Sequence, residues 1–196
     1  MRRHASRIPI ALTALRPVLG PAVVALAFVW PRPAAFAVCL TLAFLSDYFD
    51  GVIARRLGIA SPPLRRLDSI ADTVFYVGAL FAVWHLRSAV LHPYLPALLV
   101  LAALEVARYA YDFRKFGREA SYHMWSSKLW GIALVLAFYA LLVYERAGWP
   151  VALAIGVGIL ADLEGLAISS VLREWRTDVP TFFHALGLRA EARRSP

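Results

Sequence analysis

The chain has a single cysteine, Cys39, which excludes an intrachain disulfide and a thiolate metal cluster. It lies in an apolar run and reads as a buried small hydrophobe. Histidine offers no metal site either: His123 has no second histidine at ligand spacing and reads as a polar residue near a helix end rather than a zinc ligand. Charge is scarce, with 17% charged residues against 60% hydrophobic ones and a mean hydropathy of +0.61. A soluble domain carries more charge than that. Also missing is any linker or low-complexity stretch long enough to mark off a second folded domain.

What the chain does have is apolar runs of membrane length. A spanning helix needs about 20 mostly apolar residues, and residues 10–30, 34–57, 64–86, 95–113, 125–144 and 150–172 qualify. The predicted fold is an all-α integral membrane domain of six transmembrane helices over residues 1–175, followed by an amphipathic basic tail, 176–196. The tail's aromatic and basic residues suit a membrane surface, with no catalytic role. The basic start and the triplet Ala35-Phe36-Ala37 invite a signal-peptide reading, but Arg16, Pro17 and Pro21 interrupt the first run and the next follows at once. The first run is therefore expected to remain as a span.

The basic residues test this layout independently. With a cytoplasmic N-terminus, an even number of spans returns the C-terminus to the same side. Of the 21 Lys and Arg residues, only Arg32, Arg87 and Arg146 then fall on the far side. That is a positive-inside pattern of high contrast, and it predicts a multi-pass protein of the cell (inner) membrane with both termini cytoplasmic. The net charge of +8 then calls for no nucleic acid; it suits anionic membrane lipids and phosphorylated substrates.

Against this background four aspartates stand out. At 100° per residue, Asp47, Asp50, Gly51 and Ala54 share one face of the second helix, and Asp68 and Asp72, four apart, share a face of the third. Between them Gly58 can end one helix, Ser61 can cap the next and Pro62 can occupy its first turn. Counting from that turn places Asp50 and Asp68 at one depth, roughly 10 to 12 Å below the same membrane surface. Carboxylates inside spans line a cavity and have a partner. Divalent metal is one candidate, since oxygen-only ligands on facing helices suit Mg²⁺ or Mn²⁺ and can hold two ions that bridge a diphosphate. Salt bridges to Arg55, Arg56, Arg65 and Arg66 are the other. The expected site is a polar, metal-binding cavity open toward the cytoplasm.

Asp47, Asp50, Gly51, Ala54 and Arg55, followed by Leu64, Asp68 and Asp72, resemble the signature D-x2-D-G-x2-A-R-x8-G-x3-D-x3-D of the CDP-alcohol phosphotransferases. The stretch from Ile8 to Pro21 resembles the family's I-P-x-x-L-T-x-x-R opening. The resemblance implies that Asp47, Asp50 and Asp68 hold a dinuclear Mg²⁺ or Mn²⁺ site, with Asp72 as a further ligand or as the base that deprotonates the acceptor. It also implies that Gly51 and Ala54 leave room for the CDP moiety and that Arg55 supports the site electrostatically. The reaction implied is transfer of a phosphatidyl group from a CDP-activated lipid, CDP-diacylglycerol in the closest functional reading, to a small polar alcohol with release of CMP. A homodimer is suggested by the resemblance alone. Leu64 departs from the signature's glycine and adds bulk on the face of Asp68, which bears on the nucleotide's pose. A member with an altered donor or without catalysis, and an Asp-rich intramembrane prenyltransferase, are the alternative readings.

For the acceptor or its phosphate the candidates are Arg108 and Lys128, each set in an apolar helix, and Arg118. Ser126 to Gly131 faintly resembles the family's G-K-x-x-T segment. Arg114 and Lys115 read as an ordinary charged loop. Asp162 and Glu164 are two apart and point away from each other, so one is expected to pair with a basic residue on another helix.

Overall fold

A computed structural model of the chain describes residues 7–59 and 62–194. Ser61, read above as a helix cap, lies outside the described residues. The order is α1 (Arg7–Val29), α2 (Pro33–Arg56), α3 (Pro62–Leu91), a single 3₁₀ turn (His92–Tyr94), α4 (Leu95–Phe116), α5 (Trp125–Phe138) running into a π-turn (Tyr139–Val143), α6 (Trp149–Val171) and α7 (Phe182–Arg194). The protein is all-helical among the described residues, apart from an isolated parallel bridge between Ser121 and Thr177. Five helical stretches are long and apolar enough to cross a membrane. The longest, Arg66–Phe116, has 51 residues. At 1.5 Å per residue that is about 77 Å, more than twice a hydrocarbon core, so it is too long for a single span. Within it Arg87 leaves helical geometry (φ −136°, ψ 26°) and the 3₁₀ turn follows. The turn separates α3 from α4. Many large apolar residues stay exposed on the outer faces, among them Val18, Val77, Leu80, Leu99, Val106 and Leu160, as expected of helices facing hydrocarbon.

The described residues fall into two compact units. The first comprises the chain up to Leu91 together with Phe138–Arg146, so it holds α1, α2, α3 and the π-turn. In it α1 packs against both α2 and α3. The contact with α3 is a backbone contact, since a Cβ on Gly78 would lie 2.7 Å from the Gly20 carbonyl oxygen and a Cβ on Gly20 would lie 2.8 Å from that of Val74. Small residues allow this approach, the usual way helices associate where lipid supplies no hydrophobic drive. Phe28 stacks on His85 at 4.1 Å, and Tyr139 donates to the Ala37 carbonyl at 3.1 Å, tying the π-turn to α2.

The second unit comprises His92–Ala137 and the chain from Ala147 onward. Here α4 packs on α6, and α7 folds back on α6. Tyr122, Met124, Ile168, Val171, Leu172, Val179 and Ala185 form one buried cluster, joined by Phe182 and Leu188. Asp178 donates its backbone N–H to the Ser121 carbonyl at 3.1 Å, and Trp125 donates to Pro180 at 3.2 Å. The loop after α4 and the segment after α6 therefore lie side by side, as α5 and α6 require if they run out and back.

Candidate metal centre

In α2 the carboxylate pair precedes a helix end that the sequence specifies. Gly58 adopts φ +65°, a left-handed conformation that a side chain would disfavour. Its N–H bonds to the Arg55 carbonyl at 3.2 Å, and Ile59 bonds to Ala54 at 3.1 Å. Together these make a Schellman motif that closes α2. The chain then re-enters as α3 with Pro62 in its first turn. This reversal sets Asp47 and Asp50 on α2 opposite Asp68 and Asp72 on α3. Ligand atoms of Asp47, Asp50 and Asp68 all lie within 4.8 Å of one another.

The partner of all four carboxylates is Arg16 of α1, buried to 1% exposure. Its Nη1 bonds to Asp47 Oδ1 at 3.0 Å and to Asp72 Oδ1; its Nη2 bonds to Asp50 Oδ2 and to Asp68 Oδ1. One turn earlier, Thr13 donates to Asp50 Oδ2 at 2.9 Å. The first span thus supplies a counter-charge that hydrogen-bonds all four acids. Arg55 instead lies over Gly51, with Nη1 3.2 Å from where a Cβ would sit; the side chain of Arg65 lies outside the described residues. The cage is graded in exposure: Asp50 is 5% exposed and Asp47 48%, while Asp68 and Asp72 are partly open. It is therefore closed at Asp50 and open at Asp47.

Do these residues suit a divalent ion? Mg²⁺ demands oxygen ligands at about 2.0–2.1 Å, so ligands on opposite sides of one ion are about 4.2 Å apart. Oxygens already within 4.8 Å on facing helices need only a small inward movement, and the donor set is all carboxylate. The group fits. Leu64 lies half-buried one turn before Asp68, and Ala54 is buried.

The second unit holds the remaining candidates. Arg108 Nε donates to Asp162 Oδ1 at 2.9 Å and Nη2 to Glu105 at 2.6 Å, so Asp162 pairs with a basic residue of another helix, as expected. A Cβ on residue 165 would lie 2.8 Å from Arg108 Cδ, so Gly165 gives that side chain its space. Glu164 ties the start of α7 to α5, accepting the Phe182 backbone N–H at 3.1 Å and the Ser126 hydroxyl at 2.5 Å. Lys128 lies over the Trp125 ring at 4.4 Å, and Arg118 over Trp175 at 4.9 Å. Lys115 donates to the Ser169 and Ser170 carbonyls near the end of α6, at 2.8 and 3.1 Å. His123 pairs with Asp178 at 3.3 Å.

Sequence reasoning missed two sets of residues. Thr13 and Arg16 fall in the opening motif read above but receive no part in the site there; they are three apart on one face of an otherwise apolar helix, a spacing that could have marked them. Glu105 and Asp112, the second set, share a face of α4 with Arg108, which was already a candidate. Asp112 is buried and accepts from Ser169, which in turn lies 2.8 Å from the Tyr122 hydroxyl. Because Ser169 spends its one proton on Asp112, Tyr122 must donate to it; burial raises that phenol's pKa above the ordinary 10.0 and keeps the proton in place.

The family model described as CDP-alcohol phosphatidyltransferase matches residues 6–161. A protein of Blochmanniella floridana named CDP-diacylglycerol–glycerol-3-phosphate 3-phosphatidyltransferase is 30% identical over 144 residues, covering 69% of this chain and 73% of its own length. No solved structure matches the chain significantly.

Proposed function

The chain belongs to the CDP-alcohol phosphatidyltransferase family and is a phospholipid-synthesis enzyme of the membrane, and from that premise we propose its reaction in detail. The donor is CDP-diacylglycerol. The acceptor is a small polar alcohol, and glycerol 3-phosphate is the first to test because the Blochmanniella relative's name carries it. The observation that carries this reading is the convergence of Asp47, Asp50 and Asp68, all signature positions, from two helices onto one point.

Asp47, Asp50 and Asp68 would hold two Mg²⁺ or Mn²⁺ ions, with Asp72 as a further ligand or as the base. Bound there, such ions would supply positive charge to offset the donor's diphosphate and the departing CMP. Asp72, partly open, takes the proton of the acceptor hydroxyl. The hydroxyl oxygen bonds to the phosphorus that carries the lipid, and the bond from that phosphorus to CMP breaks. Gly51 and Ala54 keep the wall beside the acids thin enough for the nucleotide, Leu64 narrows it from α3, and Arg55 adds positive charge next to Gly51. Arg108, Lys128 and Arg118 supply the phosphate-binding charge for the acceptor. Residues 1–175 form the catalytic domain, and 176–196 an amphipathic tail that packs on α6 through Val179 and Ala185, with both termini cytoplasmic in the cell membrane.

The test is direct. Purified protein is incubated with CDP-diacylglycerol, Mn²⁺ or Mg²⁺ and a panel of alcohols, and products are read by CMP release and lipid mass spectrometry. A phosphatidyl ester formed with one alcohol establishes the reaction; no CMP release with any alcohol refutes the donor.

A further inference from the structure

We propose that Arg16 is a built-in counter-cation that divalent ions must displace from the aspartate cage. The proposal rests on reading the four aspartates as a metal centre, and it concerns what that centre contains before metal arrives.

The geometry of the guanidinium carries it. Each terminal nitrogen bridges the two acidic helices: Nη1 joins Asp47 of α2 to Asp72 of α3, and Nη2 joins Asp50 of α2 to Asp68 of α3. An ion set between those oxygens, about 2.0–2.1 Å from each, would occupy the space that the guanidinium nitrogens fill. Two cations drawn to the same oxygens also repel each other strongly in a poorly screened interior. Entry of metal and withdrawal of Arg16 are therefore one event.

The rest of Arg16 is arranged so that only its head is committed. Its Nε is buried and has no hydrogen-bond partner, so the carboxylates alone grip the guanidinium. The helix beneath it is held on both sides, by Thr13 bonded to Asp50 one turn before and by the Gly20 backbone contact with α3 one turn after. With α1 pinned, displacement is a swing of the side chain and not a shift of the helix. In the metal-free protein the same cation prevents four neighbouring carboxylates from pushing α2 and α3 apart, so metal finds its ligands already gathered. The competing alternative is that Arg16 is a permanent member of the site that draws the carboxylates together for the metal.

The two differ in the sign of one measurement. If Arg16 must leave, metal affinity is reduced by the fraction of protein in which it has left. A minor state of this kind is commonly about 10% populated or less, so Arg16→Gln should bind Mn²⁺ at least about tenfold more tightly than the native protein. Binding is measured on full-length protein in nanodiscs by electron paramagnetic resonance of free Mn²⁺, and thermal unfolding is followed in EDTA and in saturating Mn²⁺. Arg16→Gln should unfold earlier in EDTA and regain most of its stability in Mn²⁺. Arg16→Lys, whose single ammonium cannot span both pairs of carboxylates, should bind Mn²⁺ more tightly than native while folding without metal, and so serves if the glutamine variant does not fold. Equal or weaker Mn²⁺ binding by both variants, with native binding intact, overturns displacement. A native protein that binds no Mn²⁺ overturns the metal centre itself and the displacement with it.

Discussion

Asp50 and Asp47 are three residues apart on one helix, yet one is buried against Arg16 and Thr13 and the other is half open to solvent. Their substitutions should therefore differ. Asp50→Asn weakens a buried pair and should lower the unfolding midpoint of the metal-free protein clearly, whereas Asp47→Asn acts where solvent screens the charge and should lower it little. For metal binding the two should behave alike. Asp47→Asn, Asp50→Asn and Asp68→Asn each remove an anionic oxygen from the cage and should lower Mn²⁺ affinity and turnover by at least about 100-fold, since even an outer-shell change costs about 10–100-fold. Unchanged activity in any two of them, measured by CMP release, would contradict the dinuclear reading. Leu64 poses a separate question, because it stands where the signature has glycine, one turn from Asp68. Leu64→Gly should tighten CDP-diacylglycerol binding by clearing bulk from the face of the acids, at up to about 1 kcal/mol in helix propensity. Lost turnover with no gain in CDP affinity would mean that the leucine packs against a different donor.

Helices bring these residues together only because two of them touch through glycine. The Gly20–Gly78 contact sets the rotation and depth of α1 against α3, and Arg16 lies one turn from Gly20 on the same face. Gly78→Val would force the backbones apart, destabilising the fold by about 1–3 kcal/mol through overpacking and withdrawing Arg16 from the cage. Earlier thermal unfolding in detergent, together with lost turnover, is the expected result; native-like behaviour in both would show that the contact does not position the site. In the second unit α7 depends on Glu164 for its N-terminal hydrogen bond. Glu164→Ala should cost about 0.5–2 kcal/mol locally. Hydrogen exchange should speed up at Phe182 and the amides after it while α4 stays protected.

For the molecule as a whole, orientation decides where the reaction takes place. In the orientation proposed above, basic residues concentrated at one set of helix ends would put both termini and the turn between α2 and α3 in the cytoplasm. Leu57 is an exposed helix cap at that turn, and the native Cys39 is buried, so Leu57→Cys supplies an accessible thiol with little background. A membrane-impermeant maleimide should leave this variant unlabelled in intact cells and label it after lysis. Labelling in intact cells would put the aspartate cage on the opposite face of the membrane.

Much of this was legible from short-range pattern. Apolar length located the spans to within a few residues, the D-x2-D and D-x3-D spacings identified the acids, and Gly58 marked the turn that brings them face to face. Each of those features depends on residues close in the chain, where helical periodicity and backbone sterics decide the outcome. Arg16 was different. It lies 31 residues from Asp47 and 56 from Asp72, and no periodicity links them. The arginines nearest the aspartates in sequence looked like the natural counter-charges, yet the cation at the centre comes from another helix. That Asp162 would pair with a basic residue was legible, but not that the residue is Arg108 beside Glu105 and Gly165, nor that α7 returns onto α6. Which side chains meet between helices depends on how each helix is rotated and how deeply it is set. Those are set by packing at contacts such as Gly20 on Gly78, which exist only once the chain has folded.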